Sequence, residues 1–455
     1  MSHANRGHPI PLRLGLGILG AIFLAQRGPA AATPSPQATR NFLTMERSLE
    51  QDFERYFGED LATVTQTPQA VAGILAERAT QTQSRAAVLW VIPRLDHLHL
   101  VLLTPDGDPV VRDLDHVPQS LLLTTVRTFQ KEMADLSQDP RRSQAAQQLY
   151  DWIIAPFQDD YLEPNQIDSL LFCLGNGLRG LPLAALRNES SYLIEQYSVT
   201  SIPAFNLIQT QYRPIRRGEI LAAGASQFQS LAPLPAVPTE LERVQSQLRN
   251  SPISSQIWQG RSLLNQRFTL SNVETELQQH PLNIVHLATH AEFKPGRPQQ
   301  SFIQFHDRRL RLDQMDDLVW PPTLDLLVLS ACKTALGDPG AELGFAGVAL
   351  KSRIKSAMGS LWQVSDVGTL ALMDEFYHYL PRTPTKAHAL QQAQLQLLKG
   401  KVYANESPLL PAASQGRSGL GPEITAGSPD SPAPQTHEFS HPYFWAGFTL
   451  LSSPW

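Results

Sequence analysis

Short runs of apolar, often β-branched residues recur along the chain, separated by longer stretches whose apolar positions repeat every three to four residues. Ala86–Ile92 (AAVLWVI), Leu98–Leu103, Ile167–Cys173, Ile220–Gly224, Asn283–Thr289, Leu326–Ser330 and Ala357–Trp362 fit strands, most of them apolar throughout as in a buried sheet. Met45–Phe57 places Leu49, Phe53 and Tyr56 on one helical stripe. Pro68–Gln81, Leu121–Leu136, Ser143–Ile154, Thr239–Arg249, Ser271–Gln279, Phe345–Lys351, Val367–Leu380 and Thr385–Lys399 also predict helices. Thr239 with Glu242 has the form of a capping box, and Gly400 closes the last helix. Asp106-Gly107 predicts a hairpin turn into a strand over Pro109–Arg112, and Phe302–Leu312 a second small hairpin. Alternating strands and helices predict an α/β protein with a mostly parallel sheet flanked by helices on both faces. Val402–Phe439, rich in Pro, Ser, Gly and Ala, predicts a flexible insertion, and His441–Leu451 a final strand.

Two strands stop at reactive residues. LNIVHLATHAEF, Leu282–Phe293, reaches its end at His290, and LDLLVLSACKTALGD, Leu324–Asp338, at Cys332. Chemistry in open α/β sheets collects beyond the carboxyl ends of strands, where a thiol and an imidazole can act as nucleophile and base. His286, four residues earlier, falls on the same face as His290 by alternation. It lies inside the apolar run and reads as a hydrogen-bonded core histidine.

These motifs resemble the CHAT domain, a group of cysteine proteases related to caspases and separase. GSLWQVSD (Gly359–Asp366), FYHYL (Phe376–Leu380), HPYFWAGF (His441–Phe448) and LRGLPLAALRNESSYLIEQYSVTSIPA (Leu178–Ala204) agree with it. The resemblance implies a caspase-like fold: N-terminal linker and helices over 33–85, a non-catalytic caspase-like half over 86–213, and a catalytic half over 214–455 with the insertion 402–439. It implies a cysteine endopeptidase working through a thioester acyl-enzyme. Cys332 would be the nucleophile and His290 the general base, with the backbone N–H groups of Ala291 and Cys332 holding the oxyanion. Relatives usually carry Gly where this chain has Ala291, and often Glu where it has Lys333, which is expected to face solvent. Asp366 matches a separase segment that reads a basic substrate side chain; an N-cap role just before a helix is the competing reading. Asp338 and Glu342 are weaker candidates for substrate contact, expected as solvated loop acids. Trp362, Tyr443 and Trp445 are expected in the core. Ala291, and Ser352-Arg353 where relatives show Ala-Gly, keep open a catalytically silent scaffold that binds a peptide or partner protein. A thiol hydrolase of other esters or amides is the third reading.

The composition narrows the partners. With 455 residues, 42% hydrophobic and a net charge of −5, the chain can build large cores and offers no broad basic surface for nucleic acid. A protein or peptide substrate is expected, with room for a regulatory protein partner. CLGNGLRG is not a phosphate loop, no HExxH, CxxC or clustered Cys/His pattern supports a zinc site and EF-hand loops are absent, so neither cofactor nor metal is expected. No apolar run is long enough for an ordinary membrane span. Arg6 and Arg13 precede the apolar Leu14–Ala25, and Ala30–Ala32 offer a cleavage pattern, so residues 1–32 read as a Sec-type signal peptide and the product as extracytoplasmic. An uncleaved anchor and a start at Met45 are the alternatives; without the leader the protein is cytoplasmic. TPSPQATR, 33–40, then reads as a polar spacer. Cys173 and Cys332 form no disulfide framework, although an oxidising compartment would allow them to pair if they met.

Overall fold

The computed structural model describes residues 36–61, 65–215, 218–250, 258–334, 336–405, 424–426 and 436–455. The leader over 1–32 lies outside them, as does most of the 402–439 insertion. The described residues belong to one compact unit, Pro34–Trp455, and no helix among them is long and apolar enough to cross a membrane.

The chain opens with helix α1 (Pro36–Phe57) and α2 (Pro68–Thr82). The predicted spacer is therefore helical from Pro36, because proline suits the first helical turn and the stripe of Phe42, Met45, Leu49 and Phe53 is buried. Next come β1 (Ala86–Pro93), β2 (Leu98–Leu103), β3 (Val110–Leu114), α3 (Gln119–Met133), α4 (Gln144–Ile153), the short α5 (Ala155–Phe157), β4 (Ser169–Leu174) and β5 (Ser198–Ile202). The second half runs β6 (Glu219–Gly224), α6 (Val237–Arg249), β7 (Gln259–Leu264), α7 (Leu270–Gln279), β8 (Leu282–Phe293), β9 (Phe302–Gln304), β10 (Arg309–Arg311) and β11 (Leu326–Thr334). It continues through α8 (Pro339–Ala346), α9 (Val348–Lys351), β12 (Ser356–Ser360), α10 (Asp366–Tyr379) and α11 (Lys386–Leu398). Three short strands follow, β13 (Val402–Asn405), β14 (Ile424–Ala426) and β15 (Thr436–Glu438), then α12 (Pro442–Trp445) and β16 (Phe448–Ser452). Within the insertion, where no element was expected, β13–β15 form a separate antiparallel sheet. The capping box at Thr239 does not form: α6 starts two residues earlier, with Pro238 in its first turn and no side-chain cap.

One sheet runs through both halves in the order β10-β9-β8-β11-β12-β16-β5-β4-β1-β2-β3, with β6 on β8 and β7 on β6. Its pairs β6–β7, β6–β8, β8–β11, β11–β12, β1–β4, β4–β5 and β5–β16 are parallel. The mostly parallel α/β architecture expected from the alternation is what folds. The strand order reverses between β6 and β8, which makes their carboxyl ends the topological switch point. Backbones meet closely there: a Cβ on Gly224 would stand 2.3 Å from the Ala288 carbonyl oxygen, so β6 can seat against β8 only with glycine at that position. Cys173 is fully buried on β4. Four strand spacings separate β4 from β11, about 19 Å, so the two cysteines cannot pair within this fold.

Candidate functional site

Neither reactive residue sits at a strand end. β8 continues three residues past His290, and β11 two past Cys332. The two strands pair in parallel, with Ala331 beside His290 and Cys332 beside Ala291. His290 and Cys332 thus occupy diagonal positions on neighbouring strands, roughly 6 Å apart at Cα from strand spacing and rise. Between Leu287 and His290, β8 carries one more residue than β11 does between Leu329 and Ala331. This bulge breaks the alternation that had placed His286 and His290 on one face. Bulges re-aim side chains, and this one lies where β8 exchanges partners: β6 pairs up to Ala288, and β9 begins at Ala291.

His290 is partly exposed in the opening between those partners. Its Nε2 lies 2.8 Å from the Ala232 carbonyl oxygen. A carbonyl can only accept, so Nε2 carries the proton, and in the neutral ring Nδ1 keeps its lone pair. Phe228 packs on the imidazole with ring centroids 4.8 Å apart. Both contacts come from the loop joining β6 to α6, which is held at three places. Asn265 Oδ1 accepts from the Ser226 N–H at 2.8 Å, the Ser226 carbonyl accepts from the Leu234 N–H at 3.0 Å, and Asp366 Oδ2 accepts from the Ala236 N–H at 2.6 Å. Beside His290, residues 227–231 of this loop and Gln304, His306 and Asp307 line an open cleft of about 500 Å³.

Asp366 is the first residue of α10, whereas Ser365 is its N-cap and accepts from the Gly368 N–H. The competing capping role therefore belongs to its neighbour. Burial, then the nearby Glu240, push the Asp366 carboxyl up to about 6, against the opposing Ala236 N–H. His286 is fully buried; its Nε2 meets Glu240 Oε1 at 2.9 Å and its Nδ1 meets the Tyr377 hydroxyl at 3.1 Å, tying β8 to α6 and α10. It is the core histidine expected. Lys333 is exposed, as expected.

The acids after Cys332 differ from expectation. Asp338 caps α8 by accepting from the Ala341 N–H at 2.9 Å. Glu342 is 1% exposed, and its Oε1 accepts from the Gly337 N–H at 3.0 Å. Burial raises its carboxyl, while that N–H and the nearby Arg179 charge pull it down. Arg179, itself buried, donates to Asp52 of α1 at 2.6 Å. A chain of charges thus runs from the N-terminal helix to the loop that follows Cys332. The sequence showed no sign of it beyond Arg179 lying in the LRGLP stretch that resembles the family. Ala291 is 1% exposed and lies in a row with Ile303 of β9 on one side and Cys332 on the other. Its N–H is inside a ladder rather than beyond one. Trp362 and Trp445 are core aromatics, and Tyr443 is half-buried with its hydroxyl on the Gln363 carbonyl at 2.9 Å.

The site is therefore that of a doubly wound α/β protein with a tautomer-fixed histidine and a cysteine position side by side at the switch point. The CHAT domain family model matches residues 143–453, and the chain belongs to that family. Among solved structures it is similar to separase of Saccharomyces cerevisiae in its complexes with securin. There the TM-score is 0.43 at 10% identity, over 77% and 85% of this chain and 31% of the separase chain in each case. It is also similar to a complex of the pro- and mature domains of RgpB from Porphyromonas gingivalis, with a TM-score of 0.41 and 9% identity over 82% of this chain and 79% of that one. The chain spans about a third of the length of the separase chains. No curated protein matches it.

Proposed function

We propose that this CHAT protein is a cysteine endopeptidase. The observation that carries the reading is the Ala232 carbonyl on His290 Nε2, which leaves Nδ1 as the basic nitrogen one diagonal step from Cys332. In the proposed reaction Nδ1 takes the Cys332 thiol proton, and the thiolate adds to the peptide carbonyl. The protonated imidazole then gives its proton to the departing amine, leaving a thioester that water hydrolyses. The Ala232 carbonyl keeps its hydrogen bond throughout and steadies the imidazolium, the part a carboxylate plays in a triad. The cleft of residues 227–231 with Gln304, His306 and Asp307 would seat the substrate chain, and Asp366 would receive a basic side chain. For the Ala291 N–H to bind an oxyanion, it must come free of the ladder in which Ala291 sits between Ile303 and Cys332.

That last requirement favours the second reading, a silent scaffold whose ladder stays closed. A peptidyl electrophile with Arg on the acyl side of the scissile bond, used beside one with Leu, separates the two. Capture of Cys332 that disappears in His290→Ala is expected of the peptidase. Absence of capture by either probe, in folded protein with a reduced thiol, would leave the scaffold.

A further inference from the structure

A second group of donors sits on the opposite end of the sheet, on the β2–β3 hairpin. We propose that His97, His99 and Asp113 form a site for a borderline divalent transition cation of the zinc class, with Asp96 orienting one ligand. The register builds it. His99 on β2 pairs directly with Asp113 on β3, and His97, in the bend just before β2 begins, turns its ring toward the same carboxylate. His99 Nδ1 lies 2.6 Å from Asp113 Oδ1, and His97 Nε2 lies 3.5 Å from the same oxygen. The three donor atoms all lie within 4.8 Å of one another.

The orientation of the rings favours a cation between them. The Asp96 carboxylate lies 2.8 Å from His97 Nδ1 and, as an acceptor, fixes the proton on that nitrogen. With Nδ1 so engaged, Nε2 is the His97 nitrogen turned toward the Asp113 carboxylate, 3.5 Å away. A carboxylate on the outer nitrogen, with the inner nitrogen facing a second donor, is the usual arrangement around a metal-bound imidazole. The spacing fits as well. Ligands at about 2.0–2.1 Å from a tetrahedral centre stand about 3.4 Å apart, close to the His97–Asp113 separation of 3.5 Å. The His99 contact opens to that distance by rotation of the exposed carboxylate.

Two imidazoles and one carboxylate suit zinc, cobalt or nickel and not the oxygen-seeking calcium or magnesium. Both histidines are half-buried and Asp113 is exposed, so an ion enters from solvent and a water completes its shell. Because β3 is the last strand of the sheet, the bound ion would clip an edge that otherwise offers unpaired backbone groups.

The test uses the full, tag-free, metal-stripped chain carrying Cys332→Ser, which removes the competing thiolate. One equivalent of Co²⁺ should bind with visible absorption of a nitrogen–oxygen site, be displaced by Zn²⁺, and raise the melting temperature. Asp96→Asn should weaken binding about 10–100-fold, as loss of an outer carboxylate does. His99→Gln and Asp113→Asn should each abolish the absorption and the thermal shift. Absence of Co²⁺ uptake, or uptake unchanged in those last two variants, would overturn the site.

Discussion

Asp366→Asn should remove a pH-dependent preference for a basic side chain. Burial holds this carboxyl at about 6 instead of 3.8, and only its ionised form can pair with a guanidinium. At pH 5 roughly a tenth of such a group is ionised, and at pH 7.5 nearly all of it. The ratio of capture rates, Arg probe over Leu probe, should therefore rise about tenfold across that interval, since these rates report the free protein's groups. Taking the ratio cancels the titration of His290 and Cys332, which both probes share. In Asp366→Asn the ratio should be low and flat. Stability supplies a control with a defined sign. The folded chain prefers the protonated carboxyl, so ionisation costs stability. The cost is absent below the ordinary value of 3.8, grows as pH rises and is complete above about 6. Asparagine removes it while still accepting from the Ala236 N–H. After discounting for partial solvent contact, the variant should gain about 1–2 kcal/mol at pH 7.5 and nothing at pH 3.5, read by urea unfolding. A flat ratio in the unmodified chain, or a variant less stable at pH 7.5, would refute the assignment of Asp366 to the specificity pocket.

His286→Leu leaves the buried Glu240 without its partner and should cost about 3–5 kcal/mol. Tyr377→Phe removes one hydrogen bond and should cost about 1 kcal/mol; equal losses in urea unfolding would contradict the network described for β8, α6 and α10. Glu342→Ala frees the Gly337 N–H in the loop after Cys332 and should slow probe capture at Cys332 about tenfold, a loss of roughly 1.4 kcal/mol in positioning. Glu342→Gln restores an acceptor and should recover most of that rate. Failure of the rescue, with both variants folded, would show that the buried charge and not the hydrogen bond sets the loop.

The strands were legible from their nearly continuous apolar runs, as in β1, β8 and β11, and helices such as α1 and α4 from their apolar stripes. β5 (SVTSI) and β7 (QGRSLL) escaped because their polar residues break the apolar pattern; pairing with β4 and β6 makes them strands. His290, Cys332 and Asp366 were readable as side chains in motifs. The bulge before His290 was not, since two consecutive residues opposing one is a property of the pair β8–β11 and not of either strand. Glu342 was misread as solvated because its burial depends on Gly180, Gln130 and Arg179, more than a hundred residues away in sequence. The donors at His97 and His99 were visible as His-Leu-His, but the third, Asp113, arrives only through the register of β2 with β3.

The group that fixes the His290 tautomer was illegible for a different reason: it is a backbone carbonyl, which any residue supplies. What the sequence does encode is the stiffness with which that carbonyl is presented. Ala232 precedes Pro233, whose ring keeps Ala232 out of the helical region, and Pro235 and Pro238 restrict the rest of the loop. Ser226, Leu234 and Ala236 then anchor it to Asn265, to itself and to Asp366. The orienting partner of the base and the carboxylate proposed to read the substrate thus share one short, proline-stiffened segment. Binding a basic side chain at Asp366 would pull on the Ala236 N–H, four residues from the carbonyl that holds His290. In the proposed peptidase, substrate choice and alignment of the base would thus be linked through the loop. Ala236→Pro, which keeps a compatible φ of −76° and deletes that N–H, should disturb capture of both probes, not only the one bearing Arg.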